Sequence, residues 1–327
     1  MDAEQVAPNW DQIPQIFKLD LIKRLDFKSC CNFRKCASAE RGLVDRRPIS
    51  LEFAGISAPL ISSSHVSHFK LSNFSDNRTY IANVKYPTEN AIADFLFLFN
   101  NKTSLVKRVD IGNFNQLELL PLFISKLSEK LKELGPGFKI RAQQLGWKSY
   151  TYSGEEFLDV FKWFDAKLLE KVEISTMERW SDDKMNEIGE TEQWKNLKRV
   201  HVLNDVPISI RHFLHLESFE IQKKNATACD YWEVIMSYRN RDLPVESHFR
   251  MLSNSTLLYE QVYAKFDVPK HHEEMLRARN YTYHHIQKFP TINKDNVLLV
   301  LFNSWSVEGV VCRENHFVED IKIAFSS

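Results

Sequence analysis

Residues 171–202 read KVEISTMERWSDDKMNEIGETEQWKNLKRVHV, and this stretch decides the fold. Val172 and Ile174 alternate with Lys171 and Glu173, the period of a strand with one apolar and one polar face. Ser181 stands where a helix N-cap would, ahead of Met185, Ile188 and Trp194. Arg199-Val-His-Val202 then restores the strand period. Strand, helix, strand at this length predicts a βα unit whose strands run parallel.

The pattern spreads in both directions. Upstream, Thr88 is placed to cap a helix carrying Ile92, Phe95, Leu96 and Phe99, and Val106 to Ile111 reads as a strand. Leu117, Leu120, Ile124, Leu127, Leu131 and Leu134 step by three or four, with Pro121 in the first turns. Gly135-Pro-Gly137 stops that helix, and Phe138-Lys-Ile140 reads as a short strand. Ser153 with Glu156 makes a capping box ahead of Phe157, Val160, Phe161, Phe164 and Leu168. Downstream, Phe219-Glu-Ile221 is a strand, and Thr227 with Asp230 opens a helix carrying Trp232, Ile235 and Met236.

Ile111, Ile140, Ile174, Val202 and Ile221 mark equivalent strand positions. Their spacing is near that of leucine-rich-repeat units, although no consensus repeats. The expected fold is therefore α/β: a leucine-rich-repeat-like solenoid with helices outside and strands lining a concave face. A doubly wound parallel sheet is the alternative, but its strands would be apolar on both faces. Here Arg108/Asp110, Lys139/Arg141, Lys171/Glu173, Arg199/His201 and Ser218/Glu220 share the opposite face, which is wet. Short alternating runs at Ile49 to Phe53, Phe69 to Leu71 and Ile81 to Tyr86 read as capping strands, since a solenoid end otherwise exposes apolar surface. Val297 to Phe302, Val307 to Cys312 and Phe317 to Phe325 read as an antiparallel meander at the other end. Residues 267–296 are polar and His-rich and give little signal.

The N-terminus has a different texture. Pro14 suits a helix start. Phe17, Leu21 and Leu25 repeat every four residues, with Ile22 thickening the stripe, and Asp26 and Ser29 break it. A helical unit this short is marginal alone and leans on a partner.

Composition excludes several classes. The chain has 327 residues, a length that suggests about two domains. Lys+Arg 43 balances Asp+Glu 43, so no basic field draws in nucleic acid. No apolar run reaches the ~20 residues of a membrane helix, and the acidic, polar start is no signal peptide. Five cysteines, three of them at Cys30, Cys31 and Cys36, read as reduced thiols without an export signal. Sequons such as Asn73-Phe-Ser75 and Asn101-Lys-Thr103 are then uninformative. His271-His272-Glu273-Glu274 and His284-His285 lack a His-Glu-x-x-His helix, so no metal is expected. No Gly-x-Ser-x-Gly elbow and no glycine-rich phosphate loop occur among 9 glycines. Neither a cofactor nor catalysis is expected.

Ile13-Pro14, Ile22-Lys-Arg-Leu25-Asp26, Asn32-Phe33-Arg34-Lys35-Cys36 and Arg41-Gly-Leu43-Val44-Asp45 resemble the F-box of the expanded nematode type. Trp180-Ser-Asp-Asp-Lys-Met, then Glu192-Gln-Trp-Lys195-Asn-Leu-Lys198, and Phe213-Leu-His215-Leu216 resemble the FTH domain that follows it in those proteins. Together with the strand and helix patterning, the resemblance gives three segments: a three-helix F-box at 1–48, an FTH-like βα-repeat domain with N-terminal capping strands at 49–245, and a C-terminal polar segment and β-meander cap at 246–327. It implies a cytoplasmic or nuclear substrate adaptor of an SCF-type ubiquitin ligase. The F-box would dock a Skp1-like adaptor, which brings a cullin, and the βα domain would hold an unknown protein target. Ile13, Pro14, Phe17, Ile22, Leu25, Phe27, Cys31, Phe33 and Cys36 match the motif and are the expected docking unit. Arg108, Asp110, Lys171, Glu173, Arg199 and His201 on the wet strand face are the candidate target surface; the plainer reading is that these charges pair across strands. An F-box-independent scaffold or a hydrolase on the βα domain is the alternative function.

Overall fold

The computed structural model describes residues 10–25, 27–36, 38–57, 66–72, 84–113, 120–149, 153–175, 180–205, 209–223, 225–253, 259–266, 277–278, 281–282, 285–303 and 305–314. Asn73-Phe-Ser75, the His271–Glu274 and His284 positions and Phe317 to Phe325 lie outside them.

The first described elements are a 3-10 turn at Trp10–Gln12 and three short helices, α1 (Gln15–Arg24), α2 (Phe27–Cys36) and α3 (Ser38–Val44). A hairpin-like start to the sheet follows: β1 (Ser50–Ser57), β2 (Val66–Ser72) and β3 (Val84–Pro87). Then come α4 (Thr88–Phe97), β4 (Leu105–Asn113), α5 (Leu120–Leu134), β5 (Ala142–Ser149), α6 (Gly154–Phe161) and β6 (Lys171–Ser175). They are followed by α7 (Asp182–Gly189), α8 (Glu192–Lys195), β7 (Arg199–Asp205), a 3-10 turn at Ile210–Phe213, β8 (Ser218–Gln222), α9 (Ala228–Arg239) and β9 (His248–Leu252). The last elements are α10 (Tyr259–Tyr263), the small pair β10 (Arg277–Ala278) and β11 (Tyr281–Thr282), then β12 (His285–Pro290), β13 (Asn296–Phe302) and β14 (Ser306–Arg313).

Helix starts follow local chemistry. Ser153 and Glu156 form the expected capping box, as do Thr227 and Asp230, and Ser181 accepts from the Lys184 amide. Thr88 departs from expectation. It is the first residue of α4, and Pro87 occupies the cap position. Pro121 lies at the second position of α5, where its missing N–H costs nothing.

The expected solenoid does not form. Among the described residues, one sheet of twelve strands runs β12-β13-β14-β9-β8-β7-β6-β5-β4-β1-β2-β3. Strand β1 and strands β4 to β9 are parallel neighbours. Both ends turn antiparallel, through β2 and β3 on one side and β12 to β14 on the other. A solenoid needs equivalent stacked units. Here the connections differ: a 15-residue helix after β4, 8 residues after β5, two short helices after β6 and a 3-10 turn after β7. The end strands continue the sheet instead of capping a repeat.

Along β4 to β9 the main core fills one side of this sheet; in β13 and β14 the other side is buried too, at Leu299, Leu301 and Val310. Val109, Leu145, Val172, Val200, Phe219 and Phe249 form one buried row, and Ile111, Trp147, Ile174, Val202, Ile221 and Met251 the next. Ile140 is not in the row. Phe138 to Ile140 is no strand; Ile140 only bridges Phe164, and Trp147 holds the expected position. Arg141 accordingly pairs with Asp165 (3.0 Å) and is not on the polar face. The meander joins the same core through Leu298, Val300, Phe302, Val307 and Val311. Gly309 makes room for the Phe249 ring, which a Cβ there would strike.

Candidate functional site

Two surfaces stand out, one on the opening helices and one on the sheet. The helices α1 to α3 bury Ile22, Cys30, Leu43 and Val44 against Phe97 of α4, with Leu19, Leu25, Phe33 and Ile49 packed around them. Arg47 closes the end of α1 by donating from Nη1 to the Ile22 and Leu25 carbonyls (2.9 and 2.8 Å). The unit is fixed to α4 by Lys35 on buried Asp94 (3.1 Å) and by Arg34 over the Phe97 ring (4.7 Å). The outer side of α1 has no such cover: Ile16 is 73%, Phe17 61% and Leu21 45% exposed.

This divides the expected docking residues. Ile22 belongs to the internal core, and Leu25 and Phe33 pack against it. Pro14, Phe17 and Cys36 face solvent, and Ile13 is half-buried. Phe27 and Cys31 lie on α2, with side chains outside the described residues. Ile16 and Leu21 were absent from the expected set yet complete the exposed patch with Phe17. Leu21 stood in the stripe and Ile16 did not, and only packing shows which side of α1 turns outward.

On the sheet, all six expected target-surface residues share the face opposite the core. Arg108, Gln144, Lys171, Arg199 and Ser218 form one lateral row. Asp110, Gly146, Glu173, His201, Glu220, Arg250 and Glu308 form the next. Most of these charges satisfy one another. Lys148 reaches Asp110 (2.7 Å), and Arg108 donates from Nε to Asp110 (2.7 Å) and from Nη2 to Glu173 (2.6 Å). Lys171 completes the chain on Glu173 (3.1 Å). Burial works to raise the Glu173 pKa, but the hydrogen bond and charge of Arg108, with Lys171 behind it, outweigh that and hold the carboxyl at about 2.

Gly146 makes this chain of pairs possible. Strand β5 lies between β4 and β6, so Arg108 must cross it to reach Glu173. A Cβ at Gly146 would sit 2.2 Å from the Asp110 carboxylate and 3.0 Å from Arg108 Nη2. Further along, Arg250 grips Glu308 with both Nε and Nη2 (2.9 and 3.1 Å) and reaches Glu220 through Nη1 (3.2 Å).

The Gln193-Trp194-Lys195 element works differently. Trp194 is buried, its Nε1 donates to the His212 carbonyl (2.9 Å), and its ring meets Phe213 edge-on. Gln193 donates from Nε2 to the Lys162 and Phe164 carbonyls (both 3.0 Å). The His215 Nε2–H donates to the Trp194 carbonyl (3.0 Å), and burial pushes the His215 pKa down. These residues tie three successive connections together beneath the sheet.

Residues 138–241 match the family model of the FTH domain. The chain carries an FTH domain. The match spans β5 to α9 and contains the Gln193–Trp194 staple and most of the polar face, including Lys171, Glu173, Arg199 and His201. No curated protein and no solved structure matches the chain. Among the described residues no helix is long and apolar enough to cross a membrane, and no group of three or more His, Cys, Asp or Glu is placed to hold a metal ion.

Proposed function

We propose that this FTH-domain protein is the substrate-recognition adaptor of an SCF-type ubiquitin ligase. The helices α1 to α3 act as an F-box that docks a Skp1-like adaptor, which in turn brings the cullin. The polar sheet face holds the protein target. The chain performs no bond chemistry of its own in this reading; it raises the concentration of target lysines at another enzyme's thioester.

One observation carries the proposal: the apolar patch of Ile16, Phe17 and Leu21, left uncovered on a helix whose other side packs Leu19 and Ile22 into the small core. Three large apolar side chains within six residues are costly to leave in water and fit a partner's groove. The FTH domain behind these helices supports it, since that family is linked with F-box proteins.

Capture of a purified Skp1-like adaptor by the intact chain tests the proposal. Phe17→Ala with Leu21→Ala is expected to weaken capture by at least ~2 kcal/mol, about thirtyfold, without loss of fold, because neither side chain is in the core. No capture by the wild-type chain, or unchanged capture by the double variant, would refute it.

A further inference from the structure

The ion pairs divide the polar face into satisfied groups and one that is left over. Lys148, Asp110, Arg108, Glu173 and Lys171 are bonded to one another, and Arg250 holds Glu220 and Glu308. Arg199 is exposed, and its guanidinium makes no ion pair or hydrogen bond among the described residues. Two residues along the same strand and on the same face, His201 is half-buried. Its Nε2 is shielded from solvent, makes no hydrogen bond and stands 3.7 Å from Glu220.

Both side chains line a depression of about 160 Å³ at the start of β6 to β9. That is room for about five waters, or for the head of a carboxylate or phosphate. Lys171 and His248 also line it, as do Ser218 and Ser247. His248 donates from Nδ1 to the Glu246 carbonyl (3.0 Å), and burial lowers its pKa, so it adds no charge. Glu220 is engaged by Arg250, while Glu217 and Glu246 stand at the rim. Glu246 holds a left-handed backbone, φ 74°, that a non-glycine residue seldom adopts, so the turn closing the pocket is strained.

We infer that Arg199 and His201 form an oxyanion site that takes the carboxylate or phosphate of an acidic peptide segment in the target protein. Arg199 supplies the charge and a planar pair of N–H donors, and the half-buried His201 ring forms the wall of the depression beside it. The inference rests on the proposed role of this face and names the chemistry it reads.

The test is a titration of the intact chain with the capped tripeptides Gly-Asp-Gly, Gly-phosphoserine-Gly and Gly-Asn-Gly, and with inorganic phosphate. The His201 ring and Arg199 side-chain NMR signals are the readout. At least one acidic peptide is expected to shift them while the Asn peptide does not. Arg199→Gln should weaken that binding about fivefold, the scale of an exposed charge pair, and Glu246→Gln should strengthen it. Response to the phosphopeptide alone would assign a phosphorylated target; response to both would assign a plain acidic one. No response to either acidic peptide, an equal response to the Asn peptide, response to inorganic phosphate alone, or no change in Arg199→Gln would overturn the inference. Capture of the Skp1-like adaptor is read separately, so failure here is distinguishable from failure there.

Discussion

Glu173 makes the polar face sensitive to acid. Its folded pKa, about 2, lies below the ordinary 4.5, so the stability it contributes is complete above pH 4.5 and is lost as pH falls toward 2. Denaturant midpoints measured across that window should drop in the wild-type chain, and Glu173→Gln should flatten the drop; parallel curves would count against the pairing. The alternation of Lys171 and Glu173 was plain in the sequence, and so was the plainer expectation that such charges pair. Which charges pair was not legible, because it depends on lateral neighbours brought from positions 65 residues apart. Gly146 shows why: its missing side chain is what lets Arg108 cross a whole strand, and a lone glycine carries no mark of what passes over it. Trp194, by contrast, was readable as a buried helix-end aromatic from its place between a helical stripe and a strand.

Among the elements, α4 is the hinge between the opening helices and the sheet. Its stripe of Ala91, Ile92, Phe95 and Leu96 belongs to the main core, while Phe97 turns into the small core of α1 to α3. Phe97→Ala should cost about 3–5 kcal/mol, concentrated in the small core. Hydrogen exchange should then show α1 to α3 losing protection while β4 to β9 keep theirs; uniform loss would mean that the two units do not open separately. Helices with a strong stripe, such as α5, or a side-chain cap, such as α6 and α9, were legible in the sequence. Strand β5 was not: Ala142-Gln-Gln-Leu-Gly-Trp147 has too little apolar alternation to read as a strand, and the more regular Phe138-Lys-Ile140 drew the assignment to the wrong place. The exposed patch on α1 was legible as a stripe but not as a direction, since the outward side is set by where Phe97 sits.

At the scale of the whole molecule, the joint between β9 and β14 decides whether the chain behaves as one body. A segment boundary near residue 246 looked natural from the change in texture there. Yet the parallel and antiparallel parts share one sheet, pinned by Arg250, 7% exposed at its side chain, on Glu308 at 1%. Arg250→Met or Glu308→Leu alone leaves a buried charge unpaired and should cost about 3–5 kcal/mol; the two together should recover most of it. Chemical denaturation followed at Trp305 and at Trp194 should give one transition in the wild-type chain. The mixed direction of the sheet was hidden in the sequence, because strand texture does not say which neighbour a strand will choose. Among the described residues, the outermost strands of that sheet, β3 and β12, are 4 and 6 residues long, and both finish on a proline, Pro87 and Pro290. A proline offers no amide to a visiting chain, so each rim presents a short and broken template. An open sheet of this width is thereby guarded against growing into fibrils from its own edges.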